Sequence, residues 1–169
     1  MPKNAVHHSG AMYPNPVILV TAGHDDEANI ITLAWAGTLC GDPWMVGIGV
    51  RPGRHSHGLI HRYREFVVNV PTIELLSAVE ICGSKSGASC DKWAEARLTR
   101  EPSQVLKTPS IAQCPVSIEC RLRHALDLGQ HRLFVGQVVA TRKDPAWGFS
   151  PPPLVYMEGR YWRVGTEMA

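Results

Sequence analysis

The sequence predicts a small, mainly β barrel carrying two or three short helices. Three observations carry this. Short apolar runs rich in β-branched and aromatic residues recur along the chain, bounded by Gly, Pro, Asp and Asn. Helical spacing of apolar residues occurs in only two or three places. The strand–helix alternation of a parallel α/β sheet is missing after residue 96. A chain of 169 residues is long enough to bury a sizeable core as one domain.

Taken in order, residues 1–12 read as an arm that is ordered only where it docks, with the domain at 13–169. Pro16 to Thr21 reads as a strand, and the polar turn Ala22 to Ala28 returns the chain as a second strand, Ile30 to Thr38. Gly41-Asp42-Pro43 turns it tightly into a third, Trp44 to Val50. Gly47 and Gly49 share one face of that strand, so a flat group or another backbone is expected against it. The basic loop Arg51-Pro52-Gly53-Arg54-His55-Ser56 follows, with Ser56 as the expected cap of a helix over Ser56 to Arg64. Phe66 to Val70 is a fourth strand ended by Pro71. Thr72 is expected to cap a second helix, with Leu75, Leu76, Val79 and Cys82 on one side and Gly83 as the stop. Ser84 to Ser89 is a small-residue loop, and Asp91 is the expected cap of a short helix, Lys92 to Ala96. Residues 97–113 read as irregular. Pro115 to Leu126 and Arg132 to Arg142 alternate like a long hairpin, whose second arm is apolar on both faces and so suits cover on both sides, a partner subunit being one source. Pro145 to Pro153 is a proline-rich crossing before a last short hairpin, Leu154 to Tyr156 and Arg160 to Val164.

Composition narrows the function classes. A formal net charge of +2 is too small to argue for nucleic acid or a membrane surface as partner. No apolar run reaches the roughly 18 residues of a membrane span, and the N-terminus lacks a signal-peptide core, so a cytoplasmic location is the default. The five cysteines, Cys40, Cys82, Cys90, Cys114 and Cys120, contain no C-x-x-C pair and read as mostly reduced thiols. His57 and His61 stand four apart, but no carboxylate or thiol completes a metal site, and His7-His8 sit in the arm; no metal is expected.

Gly47 to Gly53 fails as a dinucleotide fingerprint, because Pro52 stands at the third glycine and the first two lie within a strand. Two short polar loops remain, Arg51 to Ser56 and Ser84 to Gly87 with Lys92. Each offers cations, hydroxyls and free backbone N–H groups, and a phosphate clamped between them is the economical reading. No Ser/His/Asp or paired-carboxylate arrangement stands out, so no catalytic residue is assigned. A bound redox group that supplies the reactivity would need none.

These residues resemble the flavin reductase-like family, in particular its flavoredoxin branch. The resemblance rests on Asn29 to Trp35, Asp42-Pro43, Val50-Arg51-Pro52 and His55-Ser56, then Glu65 to Pro71, Cys82 to Gly87 and Asp91-Lys92-Trp93. It resumes at Ser117 to Cys120 and at His131 to Val138, and covers about residues 12–165. It implies a split, Greek-key-like β-barrel that forms a homodimer and binds FMN without a covalent bond near the subunit interface. It implies electron transfer from NADH or NADPH through flavin to free flavin or an acceptor protein. Carried over by residue, Thr32, Leu33, Ala34 and Trp35 run along the isoalloxazine ring. Arg51, His55 and Ser56 serve the ribityl phosphate, and Ser84, Lys85, Ser86, Gly87 and Lys92 close over it. There are departures: a small hydroxyl residue is common where Ala34 stands, and Trp93 replaces a phenylalanine. The proline-rich segment 145–153 is a third feature, one that bears on the shape of the mouth. Two other function classes stay open on the residues alone. One is a flavin carrier without turnover; the other is a thiol redox sensor using Cys40 or the Cys82/Cys90 pair.

Overall fold

The computed structural model describes residues 1–2, 4 and 12–165, so most of the expected arm, with His7-His8, lies outside the described residues. In chain order the strands are β1 (Asn15–Pro16), β2 (Ile18–Ala22), β3 (Asn29–Leu33), β4 (Ala36–Gly41), β5 (Trp44–Val50) and β6 (Glu65–Val70). They continue as β7 (Arg100–Glu101), β8 (Ser110–Ile111), β9 (Val116–Asp127), β10 (Arg132–Lys143), β11 (Leu154–Met157) and β12 (Arg160–Arg163). The helices are α1 (His55–Tyr63), α2 (Leu76–Ser84) and α3 (Lys92–Glu95). Seven strands form one antiparallel sheet in the order β3-β2-β6-β9-β10-β5-β4.

That order forces the sheet to roll. Laid flat, its edges would lie about 29 Å apart at roughly 4.8 Å per strand. Yet the two edge strands, β3 and β4, are joined only by Ala34 and Trp35, a link that spans at most about 11 Å. The edges therefore approach, and the Gly49 N–H donates to the Trp35 carbonyl at 2.8 Å. No ladder joins β3 to β4, so the rolled sheet stays split at that seam. The expected single strand from Ile30 to Thr38 is thus two strands on opposite edges. Closure of the sheet breaks a run whose local propensity is extended throughout.

The rolled sheet has a core on each side. One holds Ile18, Val20, Ile31, Ile48, Phe66 and Phe134, with Leu59 and Ile60 of α1. The other holds Val17, Leu19 and Ile30 against Val79 and Cys82 of α2 and Trp93 of α3. Alternate residues of β2 serve opposite cores, which is why Ile18 to Ala22 is apolar almost without interruption and buried throughout. In β10, Phe134 and Val135 face opposite ways and are both buried within the one chain.

Further differences from expectation have local causes. Ser56 is not a cap: α1 begins at His55, its cap position is Arg54, and no side chain caps it. Thr72 makes no side-chain cap either; Ile73–Leu75 form a 3-10 turn before α2. Helix α2 passes Gly83 and ends at Ser84, whose Oγ donates back to the Glu80 carbonyl at 2.7 Å. Asp91 does cap α3, accepting from the Trp93 and Ala94 N–H groups. Residues 97–113 carry the small β7–β8 hairpin. The segment between those strands is held by two carboxylates, Glu119 buried and Glu65 partly buried. Glu119 accepts from the Gln104, Val105 and Leu106 N–H groups, and Glu65 from Lys107 and Thr108.

Candidate functional site

The seam between β3 and β4 opens onto a trough of about 310 Å³, lined by Thr32, Leu33, Ala34, Trp35, Gly49 and Arg51, with His131 and Tyr156. Its floor is backbone. β3 is an edge strand, so one side of its N–H and C=O groups has no ladder. Thr32 is tied down by its Oγ1 donating to the Val79 carbonyl at 2.6 Å. Gly83 lies close over Thr32, where a Cβ would come 3.4 Å from the Thr32 Cβ. The bare face of β5 is covered by the chain itself. A Cβ at Gly47 would strike the Leu39 side chain at 2.6 Å, and one at Gly49 would touch Trp35. The flat group expected there is in part the Trp35 side chain.

Arg51, His131 and Trp35 form one end of the trough. The His131 ring lies 4.2 Å from Trp35, centroid to centroid, and Arg51 Nε donates to His131 Nε2 at 3.3 Å. Burial and the Arg51 charge both hold His131 below the usual histidine range. A neutral imidazole that accepts at Nε2 carries its proton on Nδ1.

The second feature is a smaller cradle of about 160 Å³, lined by Asn29, Arg54, His55, Ser56, Lys85, Ser86, Gly87 and Lys92, among others. It joins the trough through Ile31, Arg54 and Gly83, which line both. Here the uncapped N-terminus of α1 brings backbone N–H groups that the helix cannot satisfy. Lys92 is only 4% exposed. Its Nζ donates to the Ile30 carbonyl at 2.9 Å and to the Cys82 carbonyl at 2.8 Å. An ammonium has three donors, and among the described residues no carboxylate pairs with this one. Burial holds Lys92 below the usual lysine range, and Arg54 adds to the effect. A buried cation without a counter-ion favours an anion beside it.

The two loops are locked together by Asn29. Its Nδ2 donates to Ser56 Oγ at 2.8 Å, and its amide lies so close to Gly87 that a Cβ there would sit 2.0 Å from Oδ1. Gly87 is therefore a packing requirement. Ser56, 1% exposed, is the second residue of α1 and serves as a strut inside the cradle wall.

The sequence-derived residues separate into groups. Thr32, Leu33, Ala34, Trp35 and Arg51 line the trough; His55, Ser56, Lys85, Ser86, Gly87 and Lys92 line the cradle. Arg51, expected at the phosphate, lines the trough and not the cradle. Ser84 lines neither; it borders an adjoining cavity with Glu80, Tyr156 and Tyr161. The Lys85 ammonium at the cradle rim is paired with Glu95. Sequence reasoning placed Arg54 in the basic loop but gave no role to Asn29, His131 or Tyr156. Asn29 and His131 lay within quoted motifs, whereas nothing local marks Tyr156, which arrives from the last hairpin.

The donor set fits a planar group ending in a phosphate: a trough of bare backbone and aromatic rims, leading to a cationic cradle with an open helix N-terminus. No cluster of metal-ligating side chains occurs among the described residues. No helix among them is long and apolar enough to cross a membrane.

The family described as "Flavin reductase like domain" matches residues 9–165. A protein of Pyrococcus abyssi (strain GE5 / Orsay) is 42% identical over 146 residues, 86% of this chain and 84% of that one. An NADH-dependent FMN reductase of Streptomyces nodosus subsp. asukaensis is 28% identical over 153 residues, 89% of this chain and 78% of its own. The crystal structure of flavoredoxin from Methanosarcina acetivorans superposes with a TM-score of 0.91 at 25% identity, covering 100% of this chain and 95% of that one. The chain belongs to the flavin reductase-like family.

Proposed function

We propose that this member of the flavin reductase-like family binds FMN non-covalently, ring in the trough and phosphate in the cradle. It then passes electrons from NADH or NADPH to free flavin or to an acceptor protein. The observation that carries the reading is Lys92, a buried cation with no carboxylate partner among the described residues, set beside an uncapped helix N-terminus in the cradle that adjoins the trough. When bound, FMN supplies the redox chemistry, accepting a hydride equivalent and releasing electrons singly or in pairs.

The residues' own work is binding and electrostatics. Backbone groups of Thr32, Leu33, Ala34 and Trp35 meet the polar edge of the ring; Ala34 has no hydroxyl to add. Arg51 sets a permanent positive charge at the trough's end and favours an occupant that gains negative charge on reduction. His131, neutral and held by Arg51, offers its Nδ1 proton there as a donor. Arg54, His55, Ser86 and Lys92 hold the phosphate with charge-assisted and backbone hydrogen bonds. Asn29 and Gly87 keep the two loops at a fixed separation.

A homodimer accompanies this reading. Edge strand β4 and its neighbour β5 expose Leu39 at 54% and Trp44 at 62%, with Trp35 at 56% beside the trough. An unpaired edge carrying large apolar side chains is a surface that a second copy covers.

The test is the absorption spectrum of purified, FMN-loaded protein before and after anaerobic addition of NADH and, separately, NADPH. Bleaching of the flavin band by either supports the reading. Protein that holds FMN yet stays yellow with both is a carrier, and protein that ignores FMN ends the reading.

A further inference from the structure

The ring trough adjoins another cavity, of about 480 Å³, inside the range of roughly 300–1,000 Å³ typical of small-molecule sites. Thr32, Leu33, Ala34, Gly83 and Tyr156 line both. Among the described residues it shares only Gly83 with the phosphate cradle. An occupant of this cavity therefore stands against the same stretch of β3 as the flavin ring, away from the phosphate.

Its polar groups come from two further elements. Glu80, Gly83 and Ser84 fall on one face of α2, because they are three and four apart. Tyr156 and Tyr161 stand opposite each other across the β11–β12 ladder, with ring centroids 5.3 Å apart. The supply of hydrogen bonds is lopsided. Ser84 Oγ spends its proton on the Glu80 carbonyl at 2.7 Å, and Thr32 Oγ1 spends its own on the Val79 carbonyl at 2.6 Å. Each keeps only lone pairs for an occupant. The Tyr156 and Tyr161 hydroxyls make no hydrogen bond among the described residues. Burial, with Tyr156 and Glu80 nearby, holds the Tyr161 phenol above the usual tyrosine range, so it stays an O–H donor. The charge is lopsided as well. Among the described residues Glu80 is the one charged side chain that lines the cavity, and its carboxylate has no hydrogen bond or ion pair there. The trough carries Arg51 and Arg54 instead.

We propose that Glu80 sets the charge of the reactant that meets the flavin ring through this cavity: a flat ring bearing a carbonyl is admitted when neutral or cationic and disfavoured when anionic. The proposal rests on the flavin reading above. The two tyrosine rings supply flat apolar contact. Their hydroxyls supply the donors for the carbonyl, and the Glu80 carboxylate repels a negative charge. Glu80 is exposed, so its field is screened by salt and its effect is modest.

The test uses oxidised, FMN-loaded protein, in which the trough is filled, and two redox-inert probes of one ring system, coumarin and coumarin-3-carboxylate. Binding is measured by equilibrium dialysis, and contact with the ring by the flavin difference spectrum. The natural chain is expected to bind coumarin about threefold or more tightly than its carboxylate at low salt, with a shift of the flavin band. Glu80→Gln is expected to bring the two within about twofold, and Glu80→Lys to reverse the order, while coumarin itself changes by less than about twofold. Added salt is expected to shrink the natural preference. Glu74→Lys, on the turn before α2 and outside the cavity, is expected to keep that preference, which separates a local carboxylate from net charge. Equal affinity of the natural chain for both probes overturns the proposal and leaves the FMN reading intact. So does an equal loss or gain of both probes in Glu80→Gln, or binding that leaves the flavin band unmoved. Protein that holds no FMN removes the flavin reading and this proposal together.

Discussion

Replacing Lys92 by Met removes a buried positive charge and keeps most of the side chain's volume. Two effects follow, and they separate in measurement. The Ile30 and Cys82 carbonyls lose the donor they share. One unsatisfied buried acceptor costs about 1–3 kcal/mol, partly offset because the lysine no longer carries a desolvated charge. Stability is expected to fall by about 1–3 kcal/mol, read as a lower midpoint in urea with unchanged slope. The cradle also loses its buried cation. A hydrogen bond to a charged group is worth about 1.5–3 kcal/mol, so FMN affinity is expected to fall roughly 10- to 100-fold. Riboflavin has no phosphate, and its affinity is expected to stay the same. The assay is titration of flavin-free protein by fluorescence quenching with both ligands. Equal loss of FMN and riboflavin, or no loss of FMN, would refute the placement of the phosphate beside Lys92. The sign of the pH dependence follows from the same residue. Its ammonium releases its proton below the ordinary lysine value of 10.5, so FMN affinity is expected to weaken as pH rises toward that value. In Lys92→Met that alkaline loss should vanish.

Gly87→Ala puts a Cβ where the Asn29 amide stands, so Asn29 must turn away and release Ser56. The overpacking costs typically about 1–3 kcal/mol, and FMN affinity is expected to fall with the melting temperature; an unaffected cradle would show that Asn29 is not the crossbeam. Thiol chemistry should divide the cysteines: burial pushes Cys82 up to about 11 and Cys120 up to about 12, and raises Cys114 as well. Only Cys40 and Cys90 are therefore expected to react with a thiol reagent in the native state, measured by mass spectrometry, and rapid labelling of Cys82 would reopen the thiol-sensor reading. For His131, whose folded pKa lies below 6.5, the neutral form is the native one. Its contribution to stability is present above 6.5 and lost as pH falls through the lowered value. Its imidazole resonances in NMR are expected to titrate below 6.5 and to shift upward in Arg51→Ala; titration above 6.5 in the natural chain would contradict the Arg51 contact.

Much of the fold was legible because strands and turns announce themselves locally. The β9–β10 hairpin, the β4–β5 turn at Asp42-Pro43 and the Asp91 cap all follow from alternation and side-chain chemistry near in sequence. The break at Ala34-Trp35 was not, since every residue around it favours extended backbone and only closure of the sheet bends it. The site was legible in outline for the same reason: two polar loops stand out against apolar strands. Its inner logic was hidden. Ser56 reads as a cap until Asn29, 27 residues earlier, is seen to claim its hydroxyl. Lys92 reads as one cation of a polar loop, and only the fold shows it buried and bonded to carbonyls of β3 and α2. Arg51 and Arg54 are three apart in one loop, and only the fold shows that Arg51 lines the trough alone while Arg54 lines both cavities.

The phosphate grip is tested most directly by comparing FMN and riboflavin binding to the flavin-free natural chain in one buffer. At least two charge-assisted contacts, each about 1.5–3 kcal/mol, set the expected preference for FMN at no less than roughly a hundredfold. Equal affinity for the two would mean that nothing in the cradle holds a phosphate.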